Sequence, residues 1–144
     1  MNTPTITQRI ATKAIIANAQ GQILILREAD TYEEGTNHGR YHLPGGRLNA
    51  GEPFRAGLKR EIMEETGLEV EQGEPVFVGE WFPVIKGQPN QIVAIFFACR
   101  AATTEVRLSE EHDHFVWIDP ADAGHYDIMD PEPEAIQAWV KRFS

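Results

Sequence analysis

Three carboxylates stand close together in Arg60-Glu61-Ile62-Met63-Glu64-Glu65. Pro53 suits the first turn of a helix that runs to about Thr66, and Gly67 is placed as its C-terminal cap. Glu61, Glu64 and Glu65 then occupy i, i+3 and i+4 of one helical face. Taking Glu61 as zero, Glu64 lies near about −60° and Glu65 near about +40° at ~100° per residue. Phe54, Leu58 and Ile62 follow at about +20°, +60° and +100°, so the acid face adjoins the apolar one. Arg55, Lys59 and Met63 point elsewhere, toward solvent. Like charges at this spacing destabilise a helix by a few tenths of a kcal/mol when exposed, and by more when partly desolvated. Arg60 reaches Glu64 at i+4, but one arginine does not neutralise three carboxylates. A solvated charged face is one explanation. A seat for hard divalent cations is the other, since Mg²⁺ takes carboxylate and phosphate oxygens. The position of the acids beside the packed side favours the second and puts them against a cleft. Gly45-Gly46 would let backbone approach an ion or a phosphate, and Gly57 either marks close packing or has no such role.

Around this helix the pattern alternates between strand and loop. Arg9–Ala19 and Gln22–Glu28 read as strands joined by a turn at Gln20–Gly21, a hairpin. Ala29–Arg40 is polar, carries Gly35 and Gly39, and reads as a long loop that could serve as a specificity lid. Tyr41–Leu43 is a short strand running into a turn at Pro44-Gly45-Gly46. Pro75–Ile85 and Gln91–Arg100 form a second hairpin, and Phe115–Ile118 a short late strand. A helical turn opens at Asp119-Pro120 and extends through Ala123. Pro133–Phe143 carries Ile136, Trp139, Val140 and Phe143 at helical spacing. Strands mixed with two or three helices imply an α/β or α+β layered sandwich, and the 144 residues suit a single domain spanning 1–144.

Composition narrows the function classes. Thirteen Lys and Arg against 22 Asp and Glu give a net charge of −9. There is no basic tract, so a nucleic-acid polymer is not an expected partner. A small anionic substrate remains compatible if cations lie between carboxylates and phosphates. No apolar run approaches the ~20 residues of a membrane span, and Met1–Ile10 lacks the pattern of a secretory signal. Cys99 is the only cysteine and reads as a buried thiol in a reducing cytoplasm.

The stretch from Gly46 to Leu68 resembles the Nudix box of the MutT-like hydrolases. Gly46, Glu52, Arg60, Glu61, Ile62, Glu64, Glu65, Gly67 and Leu68 fill every defined position of that pattern. Chance filling at this composition is on the order of 10⁻⁸ per starting point, so coincidence is not a competitor. The resemblance implies the Nudix fold, an α/β/α sandwich around a mixed sheet. It also implies Mg²⁺- or Mn²⁺-dependent cleavage of a nucleoside diphosphate linked to another group, a small nucleotide as partner, and room for a homodimer.

Carried across residue by residue, the resemblance makes Glu64 and Glu65 metal ligands and Glu61 either a ligand or the general base. The Gly45 carbonyl would be a further ligand, Arg60 would orient the acids, and Glu52 would support the loop with Gly46. Many members use one more acid before a late strand. Here Glu111 is the first choice, Glu110 the second and Glu105 a third, so the base is divided between Glu61 and Glu111. Tyr32, Tyr41, Trp81 and Phe82 are candidates to stack on a nucleobase, although aromatic residues in strands also serve as core, and Arg47 is a candidate substrate contact. A zinc pair at His112 and His114 lacks supporting cysteine or further histidine. Nucleoside or deoxynucleoside triphosphates stand slightly ahead of ADP-ribose or nucleotide sugars. A non-catalytic nucleotide-binding module is the remaining alternative.

Overall fold

The computed structural model describes residues 5–143. Strict alternation along the central strands creates two cores rather than one. On β1 (Thr7–Ala17), Ala11 and Ile15 face one side and Ala14 and Ile16 the other. On β2 (Ile23–Glu28), Ile23 and Ile25 oppose Leu24 and Leu26 in the same way. α1 (Phe54–Thr66) covers one face with Leu58 and Ile62. α2 (Glu132–Phe143) covers the other with Ala135 and Ile136. The result is the expected α/β/α sandwich.

The sheet is mixed. Its remaining strands are β3 (Tyr41–His42), β4 (Gly45–Arg47), β5 (Val70–Trp81), β6 (Val84–Ile85), β7 (Gln88–Ala101) and β8 (His112–Ile118). The order runs β3-β2-β1-β7-β5, with β4 paired to β1, β6 to β7 and β8 to β2. β1 lies parallel to β7 from Thr7↔Asn90 to Ala17↔Arg100. The β1–β2 hairpin is present only at its tip, at Ala17↔Ile23. Beyond it the two strands separate, and β4 pairs antiparallel with β1 at Ala11–Lys13. That separation opens the cleft in which the acid face of α1 ends.

Several boundaries differ from the sequence reading. Gly45-Gly46 is part of a strand, not a turn, because it lies flat on β1 with Lys13 opposite Gly45. β5 begins at Val70 rather than Pro75. Pro75 sits at a register shift, where its missing N–H leaves no ladder bond unmade. β8 begins at His112, and the turn after Asp119 is a 3₁₀ helix (Pro120–His125) capped by the Asp119 side chain. Phe54, placed by periodicity on the apolar face, is 46% exposed. It stacks on Phe97 at 5.6 Å with the Arg55 guanidinium 5.0 Å from the Phe97 ring centre.

Gly57 packs closely. A methyl group there would collide with Leu48 Cδ2 and stand 3.0 Å from Glu52 Oε1. In an exposed helix, Gly→Ala stabilises by about 1 kcal/mol. Here Leu48 Cδ2, the end of a flexible side chain, must move aside, and Gly57→Ala should gain less than about 1 kcal/mol in urea unfolding. The full gain would mean that the α1–loop contact is not tight.

Candidate functional site

α1 delivers its carboxylates to β4 through backbone contacts that only glycine permits. Glu65 is 4% exposed, and its Oε1 accepts the Gly45 N–H at 2.7 Å. Glu61 lies against Gly46, where a Cβ would come within 2.7 Å of Glu61 Oε2. Arg60 grips Glu52 with two hydrogen bonds of 2.8 and 2.9 Å and donates to Glu61 Oε1 at 2.9 Å. It reaches Glu64 Oε2 at 3.3 Å. One guanidinium thus touches all of the box carboxylates except Glu65. Glu52 also accepts the Asn49 N–H at 3.1 Å, which braces the loop before α1.

The electrostatics separate these acids. Hydrogen bonds from Arg60 hold the Glu52 carboxyl down at about 2. Burial pushes Glu61 up despite Arg60, and pushes Glu65 well above the carboxylate range. Burial, with the charges of Glu61 and Glu64 nearby, also raises Glu111. Tyr32, in the Ala29–Arg40 loop, lies near Glu111, and its own phenol is pushed up to about 12 by burial.

Glu65, Glu111 and His112 bring one ligand atom each to within 4.8 Å of one another. Behind them runs a buried polar chain. His112 Nε2 lies 3.9 Å from Glu65 Oε2 and 2.7 Å from His42 Nε2. His42 Nδ1 lies 3.1 Å from Lys13 Nζ, which pairs with Glu132 Oε2 at 3.0 Å. The other Glu132 oxygen accepts the Leu43 N–H, tying the start of α2 to the link between β3 and β4. Burial lowers His42 well below its ordinary value and His112 to about 4, so both rings are neutral at pH 7.

Beside the cluster opens a cavity of about 390 Å³, within the range of small-molecule sites. Lys13, Gly45, Gly46, Glu61, Glu65 and Glu111 lie at its polar end, and Arg9 and Arg47 also line it. Trp81, Pro83, Ile85 and Met129 supply apolar wall.

The sequence candidates divide accordingly. Gly45, Gly46, Arg47, Glu61, Glu65, Trp81 and Glu111 line the cavity. Arg60 and Glu52 stand behind it. The Glu64 side chain is 58% exposed and is tied in through Arg60. Phe82 is 64% exposed and lines a neighbouring depression with Trp81. Tyr41 is not a wall of the cavity; it packs edge-on to Tyr126 at 5.3 Å. Glu110 and Glu105 are exposed. A register shift between Arg27 and Glu28 turns His112 inward and leaves His114 exposed, so the two do not form a ligand pair.

Sequence reasoning missed Lys13, His42 and Glu132. The only signal for Lys13 was a lysine at an inward position of an otherwise apolar strand. Glu132 gave none, being one more acid in the first turn of a helix. His42 meets its partner 70 residues away.

The NUDIX domain model matches residues 7–140. The chain belongs to the NUDIX family. It is a Nudix hydrolase, a class that acts on small nucleotides and generally uses a divalent metal. It is 32% identical over 111 residues to a MutT-like protein of Streptomyces ambofaciens, covering 77% of this chain and 64% of that protein. It is 31% identical over 134 residues to the nucleoside triphosphatase NudI of Escherichia coli, covering 84% of this chain and 89% of that one. In fold it resembles the MutT protein of Methanosarcina mazei Go1, with a TM-score of 0.85 and 24% identity over 99% of both chains. Among the described residues of this Nudix hydrolase, no helix is long and apolar enough to cross a membrane.

The raised carboxyls imply a linkage. A folded-state value above the unfolded one means that the folded protein retains protons the unfolded chain has released. The metal-free protein therefore loses the contribution of Glu61, Glu65 and Glu111 as pH rises from the ordinary carboxylate range through their raised values. A divalent cation must displace those protons. Mg²⁺ or Mn²⁺ binding should release protons and tighten as pH rises above the ordinary carboxylate range, measurable by calorimetry in buffers of different ionisation enthalpy. Affinity independent of pH from 5 to 8, with no proton release, would contradict these assignments.

Proposed function

We propose that this Nudix hydrolase cleaves the pyrophosphate linkage of a small nucleotide with Mg²⁺ or Mn²⁺, and that nucleoside or deoxynucleoside triphosphates are its preferred substrates. The observation that carries the reading is the meeting of Glu65, Glu111 and His112 at the polar end of a cavity that Arg9 and Arg47 also line. The identity to a nucleoside triphosphatase over most of both chains supports the substrate class. ADP-ribose or a nucleotide sugar is the second substrate reading. A non-catalytic module is disfavoured because all four box glutamates are present.

The residues fit a divalent cation. The donor set is oxygen-rich, and glycine backbone leaves room beside it. The family resemblance names Glu65, Glu61 and Glu64, with the Gly45 carbonyl, as the groups that would hold the ion; of these, Glu65 also belongs to the cluster with Glu111 and His112. Bound there, the ion would neutralise phosphate charge and acidify a water.

The chain's own groups supply the rest. Arg9 and Arg47 attract the phosphates, and Trp81 offers a face to the base. Glu111 is assigned as the proton acceptor because, unlike Glu61, it makes no bond to Arg60. Its raised value brings it closer to the operating pH, where a general base works best. Water oxygen bonds to phosphorus, the bridging oxygen departs with the other phosphoryl fragment, and the water proton passes to Glu111. Arg60 keeps Glu52 ionised and orients both Glu52 and Glu61. The buried Cys99 thiol, raised to about 11 by burial, fits a reducing cytoplasm.

A screen of nucleotides with Mg²⁺ and detection of released phosphates should show turnover, with triphosphates favoured. Glu111→Gln should reduce kcat by about 10²–10⁴-fold while the fold is kept. An equal loss in Glu61→Gln with Glu111→Gln unaffected would transfer the base to Glu61. No turnover of any diphosphate by folded, metal-loaded protein would refute the activity.

A further inference from the structure

We propose that Glu28 is the positioning residue that seats the Ala29–Arg40 loop as a wall of the nucleotide cavity, and so sets how tightly nucleotide binds rather than how fast it is cleaved. The proposal rests on the reading of the cavity as a nucleotide site.

Glu28 closes β2 and is 9% exposed. Its side chain is wrapped by the loop rather than by water. Oε1 accepts the Asn37 N–H at 2.8 Å, and His38 Nε2 stands 3.9 Å from the same oxygen. Gly35 lies so close that a Cβ would meet Glu28 Cδ at 2.6 Å. The backbone of Glu28 holds the returning arm: its N–H donates to the Arg40 carbonyl at 3.0 Å, and its carbonyl accepts the Gly39 N–H at 2.9 Å. Among the described residues, the middle of the loop is also tied across the cavity by Glu34 to Lys86 at 3.0 Å, with both side chains more than half exposed. Exposed pairs of that kind contribute little, so the buried carboxylate is the anchor.

What it anchors matters for binding. Gly35, Thr36 and Asn37 line the cavity opposite Trp81 and Pro83, where a base would enter. The loop has no regular structure of its own. Held in place beforehand, it binds more tightly than a loop that must order around each ligand. The rival role for Glu28 is that of a further metal or catalytic carboxylate, because it shares the cavity with Glu61, Glu65 and Glu111.

Two substitutions separate the roles. Glu28→Gln keeps an oxygen for the Asn37 N–H and removes the charge; Glu28→Ala removes both. Glu28→Ala should raise the nucleotide KM about tenfold with kcat within about twofold. In the nucleotide-free protein it should also speed hydrogen exchange of the amides at 34–39 by about tenfold. Glu28→Gln should restore both quantities to within about threefold of the parent. Should Glu28→Ala fail to fold, Gly35→Ala drives a methyl into the same carboxylate and should loosen the same amides. A kcat lost equally in Glu28→Gln and Glu28→Ala would make Glu28 a metal or catalytic group. Unchanged KM and exchange in Glu28→Ala would overturn the seat. Exchange needs no turnover, so a loosened loop in a protein that cleaves no nucleotide would fault the substrate reading and leave the seat standing.

Discussion

Glu65 is a carboxylate with almost no water around it, held by the Gly45 N–H at 2.7 Å. The site depends on that contact. It pins the last turn of α1 to β4, and β4 in turn occupies the gap left where β1 and β2 separate. With Glu65 in place, Glu61 has nowhere to go but against Gly46, and Arg60 is left on the outer side to gather Glu52, Glu61 and Glu64. The spacing of the box is thus a set of distances between one helix and one glycine-rich strand.

Burying such a group is unfavourable by itself. The structure offsets this with a second buried charge system. Lys13 lies between Glu132 and His42, close enough to the cluster for its positive charge to oppose the desolvation of Glu65 and Glu61. A buried ion pair is weak ground for stability, because desolvation consumes most of the attraction. Its clearer consequence here is positional. Glu132 fixes the Leu43 N–H, and with it the segment that presents Gly45. The start of the last helix is thereby mechanically part of the acid face, although it lies far from the box in sequence.

What the chain disclosed on its own follows from the range of the forces involved. α1, its glycine stop and the adjacency of acid and apolar faces depend on residues within a few turns of one another, and periodicity exposes them. The layered sandwich could be read from strands mixed with two or three helices. The partial hairpin could not, because the separation of β1 from β2 is decided by β4 and β8 pairing at long range. Nor could Gly45-Gly46 as a strand, since its ladder partner is Lys13. Glu111 was accessible as an acid before a late strand, but the burial that raises it comes from tertiary packing. The polar chain from His112 to Glu132 joins four elements and leaves no local trace, and Tyr41 could be seen to be aromatic but not to face Tyr126.

The central claim is that the buried acid face of α1 is a seat for a divalent cation beside a nucleotide. The most direct measurement is a crystal structure with Mn²⁺ and a non-hydrolysable nucleoside triphosphate, with manganese located by its anomalous scattering. The account predicts a manganese peak at ordinary coordination distance from a Glu65 oxygen, with the phosphates reaching it from the cavity bounded by Arg47 and Trp81. Manganese held elsewhere, or a nucleotide bound with Glu65 still capped only by Gly45 and no metal beside it, would contradict the claim.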